Sequence, residues 1–214
     1  MKKAFLILFT ILTSITNAIS QSNYSVYMNF QNVKTDTINV NGTNFHYRKL
    51  GNENNVPVIF LNHLGATLDN CDPRIMDGIA AKHQIIAFDN RGVGATQGKT
   101  PVTISIMAKD AISFIKAMGY EKVDIIGFSM GAFIAQEILL QEPQLVRKAV
   151  MTGTGPAGGE GIEKVTKITY LDMLRGYLTF RDPKYYLFFN QNKKGNQSAK
   201  DFLARLKERT ENRD

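Results

Sequence analysis

The chain has no tryptophan, a single cysteine and only three histidines among its 214 residues. Cys71, being alone, can close no internal disulfide. No Cys/His cluster has the spacing of a zinc site, so no metal is expected. Long blocks of like charge are also missing. At 43% hydrophobic and 21% charged residues, the composition excludes a disordered chain and leaves enough apolar side chains for one good-sized core. Phosphate-cradling glycine motifs are incomplete. In Gly92-Val93-Gly94 the place of a third glycine is taken by Gln97, and the glycines between 153 and 161 lack a Gly-Lys-Ser/Thr ending, so no nucleotide or other cofactor is expected.

The net charge of +7 does not imply a nucleic-acid partner, because of where it lies. Lys2 and Lys3 belong to a leader, residues 193–214 hold seven Lys/Arg against four Asp/Glu, and the remainder is scattered. No basic stripe is interleaved with stacking aromatics. A solvated, mildly basic surface accounts for the excess.

The first twenty residues read as a signal peptide. A positive start at Lys2-Lys3 precedes an apolar run from Ala4 to Ile15, and small residues follow around Ala18 and Ser20. Those 12 residues are too few to cross a bilayer core of ~30 Å as a stable anchor. Export is therefore expected, to the periplasm or beyond, with cleavage near Ser20 and no membrane association afterwards; an uncleaved N-terminal anchor is the alternative. Residues 21–35 are polar and rich in Asn and Ser, and read as a linker.

From Asp36 the pattern becomes regular. Two alternating runs, Asp36 to Val40 and Asn44 to Leu50, flank Asn41-Gly42, a hairpin signal. Pro57 to Asn62 and Gln84 to Asp89 are continuous apolar runs, as in strands buried on both faces. Asp72 to His83 has helical spacing between them. Thr103 can cap a helix whose apolar face is Ile104, Met107, Ala111, Phe114, Ile115 and Met118, with Gly119 as its stop. A strand from Lys122 to Phe128, a helix from Met130 to Gln141 and a strand from Arg147 to Thr152 follow. Strands alternating with helices predict an α/β fold with a mostly parallel sheet over 36–155. Beyond the glycine hinge at 155–159, an amphipathic helix carries Tyr170, Met173, Leu174, Tyr177 and Leu178 on one side. A further helix with Tyr185, Tyr186, Phe188 and Phe189 comes next, then a charged helix. Residues 156–214 read as the start of a helical lid.

Gly127-Phe128-Ser129-Met130-Gly131 is a G-x-S-x-G sequence placed directly between a buried strand and a helix, the setting of a nucleophile elbow. There the serine holds a strained backbone that lifts its hydroxyl clear of the turn, and side chains at Gly127 or Gly131 would collide with the neighbouring strand and helix. Ser129 is the candidate nucleophile. The Met130 N–H, at the helix N-terminus, is a candidate oxyanion donor. A second donor is expected from Leu64 or Gly65, in the loop that closes the strand before it. His63 in that loop lies on the oxyanion side, where a histidine fixes the loop more readily than it acts as a base. Asp89 and Arg91, in Asp89-Asn90-Arg91-Gly92-Val93-Gly94, read as braces of a tight turn.

Together, Asn62-His63-Leu64-Gly65-Ala66, Phe88-Asp89-Asn90-Arg91-Gly92-Val93-Gly94, Gly127-Phe128-Ser129-Met130-Gly131 and Gly153-Thr154-Gly155-Pro156 resemble the α/β-hydrolase family, in particular its esterase and cofactor-free haloperoxidase-like branch. The resemblance runs from about residue 36 to the end. Cys71 stands where relatives often have tryptophan. Serine at 129 separates the chain from the family's dehalogenases and epoxide hydrolases, which place an aspartate there. The resemblance implies a Ser–acid–His triad in that chain order, acting on a small carboxylic ester. All three histidines, His46, His63 and His83, precede Ser129, and Glu160 lies in the glycine hinge. The triad acid and base are therefore expected beyond residue 214, on strands that follow the lid. Three readings stay open: the front part of an exported ester hydrolase acting on an apolar ester, inactive alone; a non-catalytic remnant or binding protein derived from one; or a chain to which a partner donates the histidine.

Overall fold

Asn41 and Gly42 turn the chain with φ of 51° and 84°, the left-handed pair that a two-residue hairpin requires. Strands β1 (Asp36–Val40) and β2 (Thr43–Leu50) accordingly pair antiparallel, with Val40 opposite Thr43. The computed structural model describes residues 29–53, 56–156, 158–209 and 213. The leader read over 1–20 lies outside the described residues, as does the first part of the stretch read as a linker.

Strands β3 (Val58–Leu61), β4 (Ile85–Phe88), β5 (Val123–Phe128) and β6 (Val146–Thr152) complete a six-stranded sheet of order β1-β2-β4-β3-β5-β6. The β2–β4 pair is antiparallel; β4, β3, β5 and β6 run parallel. Helices α1 (Pro73–Ala80), α2 (Ile104–Ala117) and α3 (Met130–Gln141) connect the parallel strands. Asp72 caps α1 and Thr103 caps α2, each side chain accepting a first-turn N–H. Gly119, at φ 84°, ends the turn after α2. The expected order of elements is present, with ends shifted by one to three residues; α1 stops at Ala80, short of His83.

The central strands are buried on both faces. Ile59, Leu61, Ile86 and Phe88 join a core with α2 and α3, in which Phe88 stacks on Phe114 with centroids 4.3 Å apart. Val58, Phe60, Ile85 and Ala87 point the other way, toward Met76, Leu68 and Cys71. Each such side chain contributes about 1.5–3 kcal/mol through burial, which explains why these runs are apolar without alternation.

Two expectations need correction. Residues 29–35 are not a free linker: Phe30 and Val33 are buried in the second core, and the Phe30 N–H donates to Asp77 at 2.7 Å. The helix α4 (Ile162–Leu178) does not lay its apolar side on the sheet: Tyr170, Met173, Leu174, Tyr177 and Leu178 are all exposed, and it packs mainly on the one-turn helix α5 (Lys184–Leu187). The segment that does reach the body is α5 with α6 (Lys193–Arg205). Tyr185 and Tyr186 pack on Ala199, and the Arg205 guanidinium grips Asp72 through two bonds of 3.0 and 2.6 Å. Beyond it, Arg209 donates to the carbonyls of Gln31 and Val33, and Arg213 meets Asp69 at 3.3 Å. Asp69 itself is held by Arg48 at 2.8 Å, both side chains being almost fully buried.

Candidate active site

The loops at the C-terminal ends of β3, β5 and β6 converge on Ser129. This residue stands between the last residue of β5 and the first of α3 with φ 55° and ψ −116°, a backbone state sparsely populated by non-glycine residues. The reason is the tightness of the bend. A Cβ on Gly131 would land on the Leu61 carbonyl of β3, and one on Gly127 would come within 2.6 Å of the Ala132 Cα. Strand and helix meet too closely for a gradual turn, so the strain falls on residue 129. Its N–H donates to the Thr152 carbonyl at 2.9 Å, which ties the bend to the end of β6. The Ser129 side chain makes no capping bond to α3. The Met130 N–H opens α3, where no preceding carbonyl lies in helical register to accept it.

Across from the bend, residues 63–66 form a turn closed by the Ala66 N–H on the His63 carbonyl, with Gly65 at φ 71°. The His63 ring nitrogen Nδ1 lies 2.9 Å from the Leu64 carbonyl oxygen. A carbonyl can only accept, so this bond puts the proton on Nδ1. Burial holds the imidazole below the ordinary histidine pKa, against the bond to Leu64, which favours the charged form; Lys184 adds to the depression and Asp182 opposes it. The shift favours the neutral ring, and the Nδ1 bond joins that ring to the 63–66 turn.

The Asp89 carboxylate accepts the Leu68 N–H at 2.8 Å, fastening the segment after β3 to the end of β4. Gly94 passes so close to that carboxylate that a side chain there would strike it. Arg91 donates to Asp110 of α2 at 2.8 Å. These two bonds tie the turn at 89–94 to the segment after β3 and to α2. Asn62 donates to the Cys71 sulfur at 3.6 Å.

Of the three histidines, only His63 is near Ser129. His83 precedes β4 and therefore lies at the opposite end of the sheet. His46 is on β2, three strands from β5, about 14 Å away at ~4.8 Å per strand. Among the described residues no histidine or carboxylate hydrogen-bonds to the Ser129 hydroxyl, and no group of three or more His, Cys, Asp or Glu side chains could hold a metal ion. Glu160 is exposed in the hinge.

Sequence reasoning overlooked two aromatic neighbours. Phe128 and Phe188 both set their rings edge-on to His63, at 5.7 and 5.1 Å, and lie 5.3 Å from each other. Phe128 occupies the variable second position of the elbow motif, and Phe188 belongs to an aromatic run whose partners, Phe128 and His63, lie 60 and 125 residues upstream of it; neither carries a local signal.

A doubly flanked, mostly parallel sheet with a strained serine between β5 and α3 defines an α/β-hydrolase-type protein. The family described as the alpha/beta hydrolase fold matches residues 56–214, and the chain belongs to it. An alpha/beta hydrolase fold protein from Chitinophaga pinensis is 35% identical with a TM-score of 0.78, over 87% of this chain and 67% of that one. A Mycobacterium tuberculosis protein named for non-heme bromoperoxidase activity, BpoC, is 36% identical over 99 residues, 46% of this chain and 38% of its own. A Haemophilus influenzae protein named for esterase/lipase activity is 29% identical over 119 residues, 55% of this chain and 41% of its own. The chain spans about two fifths of the length of these curated relatives.

Proposed function

We propose that the protein is a hydrolase in which Ser129 is the nucleophile toward a carboxylic ester. The observation that carries this reading is the Ser129 backbone, held at φ 55° and ψ −116° where two glycines let strand and helix touch. Strain of this kind costs about 1–3 kcal/mol, and the Ser129 side chain is not spent on capping the helix that follows. In the proposed reaction the hydroxyl attacks the ester carbonyl while the N–H groups of Met130 and of Leu64 or Gly65 receive the negative charge that develops on its oxygen. The family membership and the esterase/lipase relative support this chemistry.

The proton on the serine needs an acceptor. His63 is a poor one, since its Nδ1 donates to Leu64 and its Nε2 is buried. The base and the acid that orients it are proposed to come from polypeptide outside the 214 residues. An apolar ester suits the rings of Phe128 and Phe188 beside the oxyanion loop, and the leader-like residues 1–20 support export. A non-catalytic binding role is the second reading, favoured by the absence of a base beside Ser129 among the described residues.

The test is capture of Ser129 by an activated phosphonate, read by mass spectrometry, beside turnover of a short aryl ester. Capture at Ser129 with only trace turnover is expected. Brisk turnover by the 214 residues alone would overturn the reading of the base, and labelling that persists in Ser129→Ala would remove Ser129 from the mechanism.

A further inference from the structure

We infer that Phe188 is a positioning residue for the reaction proposed above, acting through His63 on the loop that carries Leu64 and Gly65. The inference rests on that proposal for its catalytic meaning, and on the geometry of three rings for its substance.

His63 is tied to the loop at one end of its ring and enclosed at the other. Its Nδ1–H holds the Leu64 carbonyl at 2.9 Å. In a trans peptide the carbonyl and the following N–H point in opposite directions, so pinning the Leu64 carbonyl orients the Gly65 N–H and anchors the residue whose own N–H is the neighbouring candidate donor. The imidazole therefore controls where the oxyanion donors of this loop point. At the far side of the ring, Nε2 is buried with no hydrogen-bond partner among the described residues, and the residue as a whole is 8% exposed. A neutral imidazole with its proton on Nδ1 presents a bare acceptor at Nε2. Two aromatic rings flank the imidazole: Phe128 from the elbow and Phe188 from the end of α5 both stand edge-on to it.

Phe188 is the component contributed by the helical segment. It touches the residue before the nucleophile and the histidine of the oxyanion loop at once, and is joined in turn to Phe202 of α6 at 6.3 Å. Seating of that segment thus completes the enclosure of His63. With Phe188 in place the ring is neutral and committed to Leu64. With Phe188 gone, water reaches Nε2, the ring can protonate or exchange its tautomer, and the Leu64 peptide loses its fixed partner. The charged groups acting on His63 are Lys184 and Asp182, both from the α5 region, so the same segment sets its electrostatics.

Nitrogen-detected NMR of the full chain, with His63 assigned through His63→Ala, reads the ring directly. The wild-type ring is expected as the Nδ1–H tautomer, titrating below the ordinary histidine range near 6.5. Phe188→Ala, or Phe188→Leu should the alanine variant not fold, is expected to raise the titration toward that value, and Phe188→Tyr to leave it low. Phosphonate capture of Ser129 supplies the second readout. Phe188→Ala should slow it roughly tenfold, as small misplacements of reacting groups do, and should slow it no further in a His63→Ala background. An Nε2–H tautomer in the wild type, an unmoved titration in Phe188→Ala, or an equal loss in both backgrounds overturns the inference, the last by making Phe188 a wall of the site rather than a partner of His63. If Ser129 is captured in no variant, the hydrolase reading fails, and the NMR result alone decides the coupling between Phe188 and His63.

Discussion

The backbone N–H of Ser129 donates to the carbonyl of Thr152 at 2.9 Å, so the bend between β5 and α3 is fastened to the end of β6, the edge strand among the described residues. Gly153 follows at φ 61°, and a Cβ there would come within 2.9 Å of the Phe128 ring. The bend is held from three sides: by this bond, by Leu61 beneath Gly131, and by Ala132 beneath Gly127.

Serine pays for that bend with backbone strain, and glycine would not. Ser129→Gly should stabilise the fold by about 1 kcal/mol, within the 1–3 kcal/mol that such a conformation costs a residue with a Cβ. Ser129→Ala keeps the Cβ and should leave stability nearly unchanged. Both should lose phosphonate capture. Urea denaturation of the three proteins checks the order; equal stability of the serine and glycine forms would mean the strain is not present in solution.

The glycines of the elbow are predicted to tolerate nothing larger. In Gly131→Ala the new methyl meets the Leu61 carbonyl, a backbone atom with no room to retreat. A loss of about 1–3 kcal/mol or more is expected, the range for overpacked interiors, and with it loss of capture at Ser129. Gly65→Ala is the control: nothing lies near its Cβ position, although its φ of 71° still disfavours alanine. A fully stable Gly131→Ala protein would contradict the close contact of α3 with β3.

Much of this was legible in the residues and some of it was not, for physical reasons. The apolar runs of β3 and β4, the Asn41-Gly42 turn and the Thr103 cap are local signals, each set by a neighbour within a few positions. The elbow could be read because its two glycines and its strand–helix context are contiguous. Phe30 and Val33 stand alone in an Asn/Gln-rich stretch, and their burial depends on Met76 and Leu68, some forty residues on. The aromatic pair with His63 spans 63 to 188. The apolar side of α4 shows the converse: periodicity reveals which residues share a face, but not whether anything covers it.

Asp69 is a second site where removal of one group should be costly. Its carboxylate lies between Arg48 at 2.8 Å and Arg213 at 3.3 Å, with Arg209 at 3.9 Å, and it joins β2, the segment before α1 and the C-terminal residues. Asp69→Asn preserves shape but removes the buried carboxylate charge that Arg48, Arg209 and Arg213 share. A loss of about 3–5 kcal/mol is expected, as for other broken buried pairs. Arg213→Ala, removing the half-exposed partner, should cost under about 1 kcal/mol. Thermal unfolding of both variants is the measurement, and a small effect of Asp69→Asn would show that the network is hydrated in solution.

The depressed pKa of His63 makes a prediction about pH with a definite sign. Its folded value lies below that of the unfolded chain, chiefly because burial penalises the charged ring. Below about 6.5 the unfolded state therefore binds more protons than the folded one, so stability falls as pH drops. The contribution is fully present above the unfolded pKa and is lost progressively as pH falls through that value toward the folded one. Other groups titrate in the same window, so the informative quantity is a difference. The stability of wild type minus that of His63→Gln, from urea denaturation between pH 7.5 and 4.5, should decrease as the solution becomes more acid. A difference independent of pH would show that the ring is as accessible to protons in the folded chain as in the unfolded one. It would also remove the physical basis for treating His63 as the neutral brace of the oxyanion loop.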